Sequence, residues 1–323
     1  MFKDKVILVT GGTGSFGQKF AEIILREHSP AAVRIYSRGE LLQLQMQQKF
    51  NNDERLRFLI GDVRDKDRLA RAMNRVDIVV HAAALKQVPT SEYNPIEAVK
   101  TNINGAANVI DAAIDNNVAK IMNISTDKAV QPVNLYGGTK LVAEKLFIHG
   151  NAYVGMRKID FSCVRYGNVV GSRGSVVPVF LEQKKKDKIT ITDERMTRFW
   201  LTLEQGVRFA IDCLKRMRGG EIFVPKIPSM KIAKLAEAIA PKAKREIIGI
   251  RPGEKLHEIL ISQEEAKHSR EYADYYLVEP EHQFWAKKKI AGGKPLPDDF
   301  KYTSDNNTRW VTADDLKKMI KAL

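Results

Sequence analysis

Tyr136 and Lys140 stand four positions apart in the segment Tyr136-Gly-Gly-Thr-Lys140. On a helix that spacing brings both side chains to one face. A lysine ammonium beside a phenol favours the phenolate, lowers the proton affinity of the tyrosine and makes it a base for a substrate hydroxyl; it can also hold a ribose hydroxyl. Shortly upstream, Ser125-Thr126-Asp127-Lys128 sets a hydroxyl, an acid and an amine side by side. Such a group can give and take protons, although on spacing alone it fits an exposed turn after a strand equally well. The third chemical signal is Gly11-Gly-Thr13-Gly14-Ser15-Phe16-Gly17. Glycines three apart keep a turn tight, let backbone approach a pyrophosphate, and lead it onto a helix N-terminus.

These residues need a scaffold, and the apolar pattern supplies one. Strands are predicted at Val6–Thr10, Val33–Ser37, Leu56–Ile60, Val76–Val80, Lys120–Ser125 and Asp160–Arg165. Between them the spacing predicts helices near Ser15–His28, Glu40–Phe50, Lys66–Asn74, Pro95–Asn116 and Leu135–Ala152. Alternating strands and helices with short turns make an α/β fold, a doubly wound parallel sheet that binds ligands beyond the carboxyl ends of its strands. After about residue 170 the alternation fails. Short strands at Ile189–Thr192, Glu221–Val224 and Ile247–Ile250, with helices at Thr202–Met217 and Lys231–Ala240, read as a smaller domain over 171–323. The helix Thr202–Met217 is expected to pack back on the large domain, 1–170. Thr312 to Asp315 should cap a short last helix.

The chain has 323 residues, 44% hydrophobic and 28% charged, which suits a globular protein. Cys163 and Cys213 lie far apart without CxxC spacing, so neither a disulfide frame nor a metal site is expected, and a reducing, cytoplasmic setting fits. No long apolar run predicts a membrane span. The formal charge of +14 admits a nucleic-acid surface or an enzyme for doubly anionic ligands. The runs Lys184–Lys186 and Lys287–Lys289 lack interleaved aromatics, which favours solvated surface over nucleic-acid binding.

With the motifs placed on the scaffold, the sequence resembles the extended short-chain dehydrogenase/reductase family over nearly its whole length. The likeness rests on Gly11-x-x-Gly14-x-x-Gly17, Tyr136-x-x-x-Lys140 and the Ser125-Thr126 pair. Ser125-Thr126-Asp127-Lys128 is further similar to the signature of nucleotide-sugar 4,6-dehydratases. Members that retain configuration at carbon 5 carry Asp-Glu there; Asp127-Lys128 is similar to the inverting UDP-N-acetylglucosamine group. RYGNVVGSRGSVVP (Arg165–Pro178), ITDERMTRFW (Ile191–Trp200), FVPKIPSM (Phe223–Met230) and IRPGEKLHE (Ile250–Glu258) extend that similarity.

The resemblance implies roles. Tyr136, aided by Thr126 and Lys140, removes the 4-hydroxyl proton of the sugar; Lys128 takes the carbon 5 proton; Asp127 protonates the departing 6-hydroxyl. Lys128 can act as a base only with a lowered pKa, for which Lys140 and a cationic nicotinamide are the expected cause. A cofactor would lie on Gly11, Thr13, Gly14, Ser15, Phe16 and Gly17, with Asp62 and Val63 along the adenine. Ala82, Ala83, Ala84, Lys86 and Asn102 would complete its site. Where an NAD enzyme offers an acid to the ribose, this chain has Ser37-Arg38, so NADP is expected; nearby Glu40 tempers the arginine. Lys86, Asn168, Ser175, Val176, Val177, Thr190, Arg198, Arg251 and Glu254 would meet the nucleotide sugar, with Arg198 and Arg251 on its pyrophosphate. The family also implies a homo-oligomer, dimer or hexamer, joined through the Tyr136 helices. Two other readings stay open: a nucleotide-sugar epimerase, which needs no acid and base at 127 and 128, and an NADP-sensing protein without turnover.

Overall fold

In the computed structural model, which describes residues 1–170, 176–282 and 290–321, the first half builds the expected alternation. Strands β1 (Val6–Thr10), β2 (Ala32–Ser37), β3 (Leu56–Ile60), β4 (Ile78–His81), β5 (Lys120–Ile124) and β6 (Asp160–Val164) alternate with helices α1 (Ser15–Glu27), α2 (Glu40–Lys49), α3 (Lys66–Met73), α4 (Val88–Tyr93), α5 (Pro95–Val99), α6 (Gly105–Asp115) and α7 (Leu135–His149). Val6–Thr10 and Ile78–His81 are near-continuous buried runs, as parallel strands covered on both faces must be. The predicted long helix Pro95–Asn116 is instead α5, a π turn at Lys100–Asn104, and α6. The backbone stays helical throughout, and at Gly105 a Cβ would stand 2.7 Å from Val63, so α6 rides close over the loop after β3.

The second half departs further from the expected division. Its elements are β7 (Asn168–Val169), α8 (Val176–Lys184), β8 (Lys188–Ile191), β9 (Thr197–Leu201), α9 (Leu203–Arg216), β10 (Ile222–Pro225), β11 (Ser229–Lys231), α10 (Ile232–Ile239), β12 (Lys244–Ile247), β13 (Ile259–Ile261), α11 (Gln263–Ala266), β14 (Ser269–Glu271), β15 (Tyr275–Val278), β16 (Lys294–Pro295), β17 (Tyr302–Thr303) and α12 (Ala313–Lys321). Four of these strands join the large sheet, whose order is β16-β14-β15-β10-β6-β5-β4-β1-β2-β3. From β3 to β10 the strands are parallel; β15 then runs antiparallel to β10. Residue 170 is no clean boundary, as the expected return of the Thr202–Met217 helix to the large domain already implied, and the strand predicted near Glu221–Val224 belongs to the main sheet. Burial drives this, since all four residues of β10 and all four of β15 are buried.

Helix α9 packs beside α1, as expected, with Thr202 and Gln205 forming a capping box at its start. A smaller apolar core gathers Val177, Ile189, Ile191, Trp200, Met230, Leu235 and Ile239 between α8, α10 and the short sheets β11-β9-β7 and β12-β8. The strand predicted at Ile247–Ile250 begins earlier, at Lys244, because β12 pairs in parallel with Lys188–Ile191. Arg165, at the end of β6, ties the lobes together. Buried, it donates to both carboxylate oxygens of Glu144 on α7 (3.0 and 2.6 Å), to Glu265 on α11 (3.0 and 2.8 Å) and to the Leu260 carbonyl.

Candidate active site

The glycine loop fits a dinucleotide. Gly11 has φ +66, and a Cβ on it would lie 2.9 Å from the Ala83 backbone, so the β1 and β4 loops touch where only glycine fits. Gly14 caps α1 without a side-chain hydrogen bond, which leaves first-turn N–H groups to face an anion. Ser15, Phe16 and Gly17 open the helix, and a Cβ on Gly17 would lie 2.4 Å from the Gly12 carbonyl oxygen. Thr13 is buried, with its carbonyl accepting from Gln18. Ala82 and Ala83 donate backbone N–H groups to Thr10, and Ala84 continues that loop. At the far end Ser37 is buried against Gln43, while Arg38 is exposed. The acid facing Arg38 is Asp62 at 3.7 Å, not Glu40. Burial opposes ionisation of Asp62, but Arg64 and Arg38 outweigh it and hold its pKa low.

At the carboxyl ends of β5 and β6 the proton-handling groups meet. Thr126 caps a short turn, Asp127–Ala129, against which the start of α7 is pressed. Gly137 makes this possible: a Cβ there would lie 2.3 Å from the Lys128 carbonyl oxygen. The Thr126 hydroxyl donates to Asp127 Oδ1 at 2.9 Å, and Lys128 Nζ reaches the same oxygen at 3.0 Å. Asp127 is 0% exposed and Lys128 26%, so the lysine faces the cleft and the acid stands behind it. Burial raises the Asp127 pKa, and Glu258 adds to that rise.

Two expected shifts come out with the opposite sign. Burial works against the Lys128 ammonium, yet Asp127 and Glu258 overcome it and hold the lysine well above its usual range. Lys140 does not depress it: its Nζ donates to the Ile124 carbonyl at 2.8 Å, and burial lowers its own pKa. The Tyr136 phenol is pushed up to about 12 by burial, opposed by Lys128 and Thr126 rather than by Lys140.

A model of the polysaccharide biosynthesis protein family matches residues 7–280. The chain belongs to that family. It is 51% identical, over 99% of its length and 98% of the relative's, to a UDP-N-acetylglucosamine 4,6-dehydratase (inverting) of Campylobacter jejuni. It is 42% identical, over 100% and 97%, to a UDP-glucose 4-epimerase of Rickettsia canadensis. Among solved structures, Pen from Bacillus thuringiensis superposes with a TM-score of 0.92 at 39% identity, covering 100% of this chain and 98% of that one.

In this member of the polysaccharide biosynthesis family the remaining predicted residues fall at graded distances from the cluster. Lys86 is half-buried, its pKa lowered by burial and by Lys128, so both amines face one space. Asn102 holds both backbone groups of Leu85 and the Thr139 hydroxyl, and so shapes the loop after β4 instead of facing the cleft. Asn168 keeps a buried Oδ1 without a hydrogen bond. Val176 and Val177 begin α8, and Ser175 lies outside the described residues. Thr190 is bonded to Gln183 of α8. Arg251 is exposed and 3.9 Å from Glu254.

Arg198 differs. It turns inward, donating to the carbonyls of Thr197 and Leu256 and lying 3.6 Å from Glu258. Val63 is buried beneath Gly105. Lys184–Lys186 are exposed at the end of α8, the solvated surface expected of them, while Lys287–Lys289 lie outside the described residues. No helix among the described residues is long and apolar enough to cross a membrane. Sequence reasoning missed Glu258 as a site residue. Its signal was present in the segment Arg251-Pro-Gly-Glu254-Lys-Leu-His-Glu258, whose glycine has φ +77 and packs on Asn134.

Proposed function

We propose that this protein is a UDP-N-acetylglucosamine 4,6-dehydratase that inverts carbon 5, a lyase giving UDP-2-acetamido-2,6-dideoxy-β-L-arabino-hexos-4-ulose. The observation that carries this reading is the joined pair Asp127–Lys128, an acid behind an amine, set beside Tyr136 at the mouth of the sheet. An epimerase needs the tyrosine but not the pair, and the C. jejuni relative at 51% identity bears the inverting dehydratase name. Tyr136 takes the proton of the 4-hydroxyl, with Thr126 alongside. A nicotinamide held on the Gly11–Gly17 loop would supply the hydride chemistry at carbons 4 and 6, and a solvent-derived proton would enter carbon 5 from the opposite face. Lys128, the member of the pair that reaches the surface, is the proposed carbon 5 base, a role that requires substrate and cofactor to offset the Asp127 and Glu258 charges that hold its proton in the free protein. Asp127 is the proposed source of the proton for the departing 6-hydroxyl.

NADP is the proposed cofactor, because the exposed Arg38 guanidinium at the end of β2 suits a 2′-phosphate. The proposed assembly is a homo-oligomer, dimer or hexamer, cytoplasmic and built through α7. Val142 on that helix, and Tyr93 and Ile96 on the helices packed against it, expose apolar surface. The proposed product serves pseudaminic acid synthesis. Incubation with UDP-N-acetylglucosamine and trace NADP in heavy water tests the reading. Loss of one water by mass, with deuterium at an inverted carbon 5, is expected; an unchanged mass with carbon 4 inverted would establish the epimerase instead.

A further inference from the structure

Glu258 sits in the middle of the proton-handling cluster, yet it is buried too deeply to touch a sugar. Its Oε1 lies 3.3 Å from Lys128 Nζ and 3.6 Å from Arg198 Nε. Its backbone N–H donates to Ser304 Oγ at 2.9 Å, and that hydroxyl is 2.6 Å from Thr197 Oγ1, so the start of β9 and the chain beyond β17 fix its place. Two buried carboxyls thus flank one lysine. Each also keeps one oxygen without a hydrogen bond, Oδ2 of Asp127 and Oε2 of Glu258, so burial alone does not say which is ionised.

Among the described residues, two cations, Lys128 and Arg198, lie within 3.6 Å of Glu258, while Lys128 alone pairs with Asp127. Lys128, Arg198 and Lys255 all act on Glu258 and outweigh its burial, so its pKa is lowered. Asp127 has Lys128 as its main cation, shares it with Glu258, and has its pKa raised. The other groups facing the cluster are Thr126, Tyr136 from α7 and Lys86 from the loop after β4.

We propose that Glu258 is a positioning residue, the resident counter-ion of Lys128, and that by filling this role it leaves Asp127 free to hold the proton it delivers as an acid. Without the Glu258 charge, Asp127 becomes the only carboxylate beside Lys128, ionises, and is disarmed. The inference rests on the dehydratase reading for its purpose, but not for its test.

Infrared spectroscopy of the protein as purified, without substrate, reads the state of Asp127 directly. At neutral pH the wild type should show a protonated-carboxyl band that Asp127→Asn removes. Glu258→Gln should remove it too, or move its titration midpoint down by about one pH unit, a tenfold loss of proton affinity; Glu258→Asp should keep it. In turnover, an acid works below its pKa and fails above it, so Glu258→Gln should shift the high-pH limb of kcat toward acid with KM little changed. A Glu258→Gln protein that keeps the band at its original midpoint overturns the proposal, as does a wild type with no band assignable to Asp127. The wild-type arm decides alone should Glu258→Gln not fold. Normal infrared behaviour in a protein that releases no water from UDP-N-acetylglucosamine would sink the dehydratase reading and leave this one standing.

Discussion

Replacing Arg165 by Met should be the most destabilising single change near the site. The guanidinium is buried and makes five contacts of 2.6 to 3.0 Å to Glu144, Glu265 and the Leu260 carbonyl. Methionine fills much of the volume but leaves the buried Glu144 and the largely buried Glu265 without their cation. Breaking a buried pair in this one-sided way costs about 3–5 kcal/mol. Removing the charges together should cost far less: Glu144→Leu, Arg165→Met and Glu265→Gln combined should return to within about 2 kcal/mol of wild type, since buried ion pairs roughly break even against apolar replacements. The glutamine keeps a side-chain acceptor for the Ser262 N–H in the α11 capping box. Urea unfolding of the single and triple variants is the assay. A single variant costing under about 1 kcal/mol, or a triple variant no better than the single, refutes the reasoning. The pH dependence has a definite sign. Burial raises the Glu265 pKa but Arg165 and the α11 cap lower it further, so the net shift is down. Its contribution is complete above the unfolded value of about 4.3 and is lost as pH falls through the lower folded value. Arg165→Met should flatten that acid dependence.

Lys128→Ala should leave cofactor and substrate binding intact and cut turnover by about a hundred- to ten-thousand-fold, read by steady-state kinetics and by loss of deuterium uptake at carbon 5. Near-normal turnover would require another base. Ser37→Asp with Arg38→Ala should weaken NADP by roughly ten- to hundred-fold, the loss of one charge-assisted contact, with NAD little affected in calorimetric titration. Equal binding of the two cofactors by the unmutated protein would remove the basis for choosing NADP. Gly137→Ala forces a Cβ to within 2.3 Å of the Lys128 carbonyl oxygen. It should cost about 1–3 kcal/mol in urea unfolding and lower kcat by displacing the Asp127–Ala129 turn.

The parts of the site that were legible in the sequence are those whose function needs a local pattern. Gly11, Gly14 and Gly17 announce a backbone approach, and Tyr136-Gly-Gly-Thr-Lys140 announces one face of a helix. Six strands with apolar cores, from β1 to β6, were legible within two residues at either end. What stayed hidden depends on distant partners. The strands β14, β15 and β16 are short, and only pairing with one another and with β10 identifies them as part of the main sheet. The close seat of Gly105 on Val63 joins residues far apart in sequence. The Tyr136 shift follows from burial, and the Lys128 shift from Asp127 and the distant Glu258 acting against burial, none of which four-residue spacing can express. Arg198 was expected on the substrate pyrophosphate from the resemblance; its β9 neighbours are all buried, and it turns inward with them.

The Arg165 clamp also bears on how the protein comes into being. Its two halves, Arg165 and Glu265, are separated by 100 residues, and β10 cannot be flanked until β15 has left the ribosome. A chain made from its N-terminus can assemble the first six strands early, since all of them are complete by Val164. Its cleft, however, must wait for Glu258 and for Ser304 beyond it. A nascent or truncated chain would thus own a dinucleotide cradle before it owned a functional proton relay, so early binding and late chemistry are separated in time by vectorial synthesis.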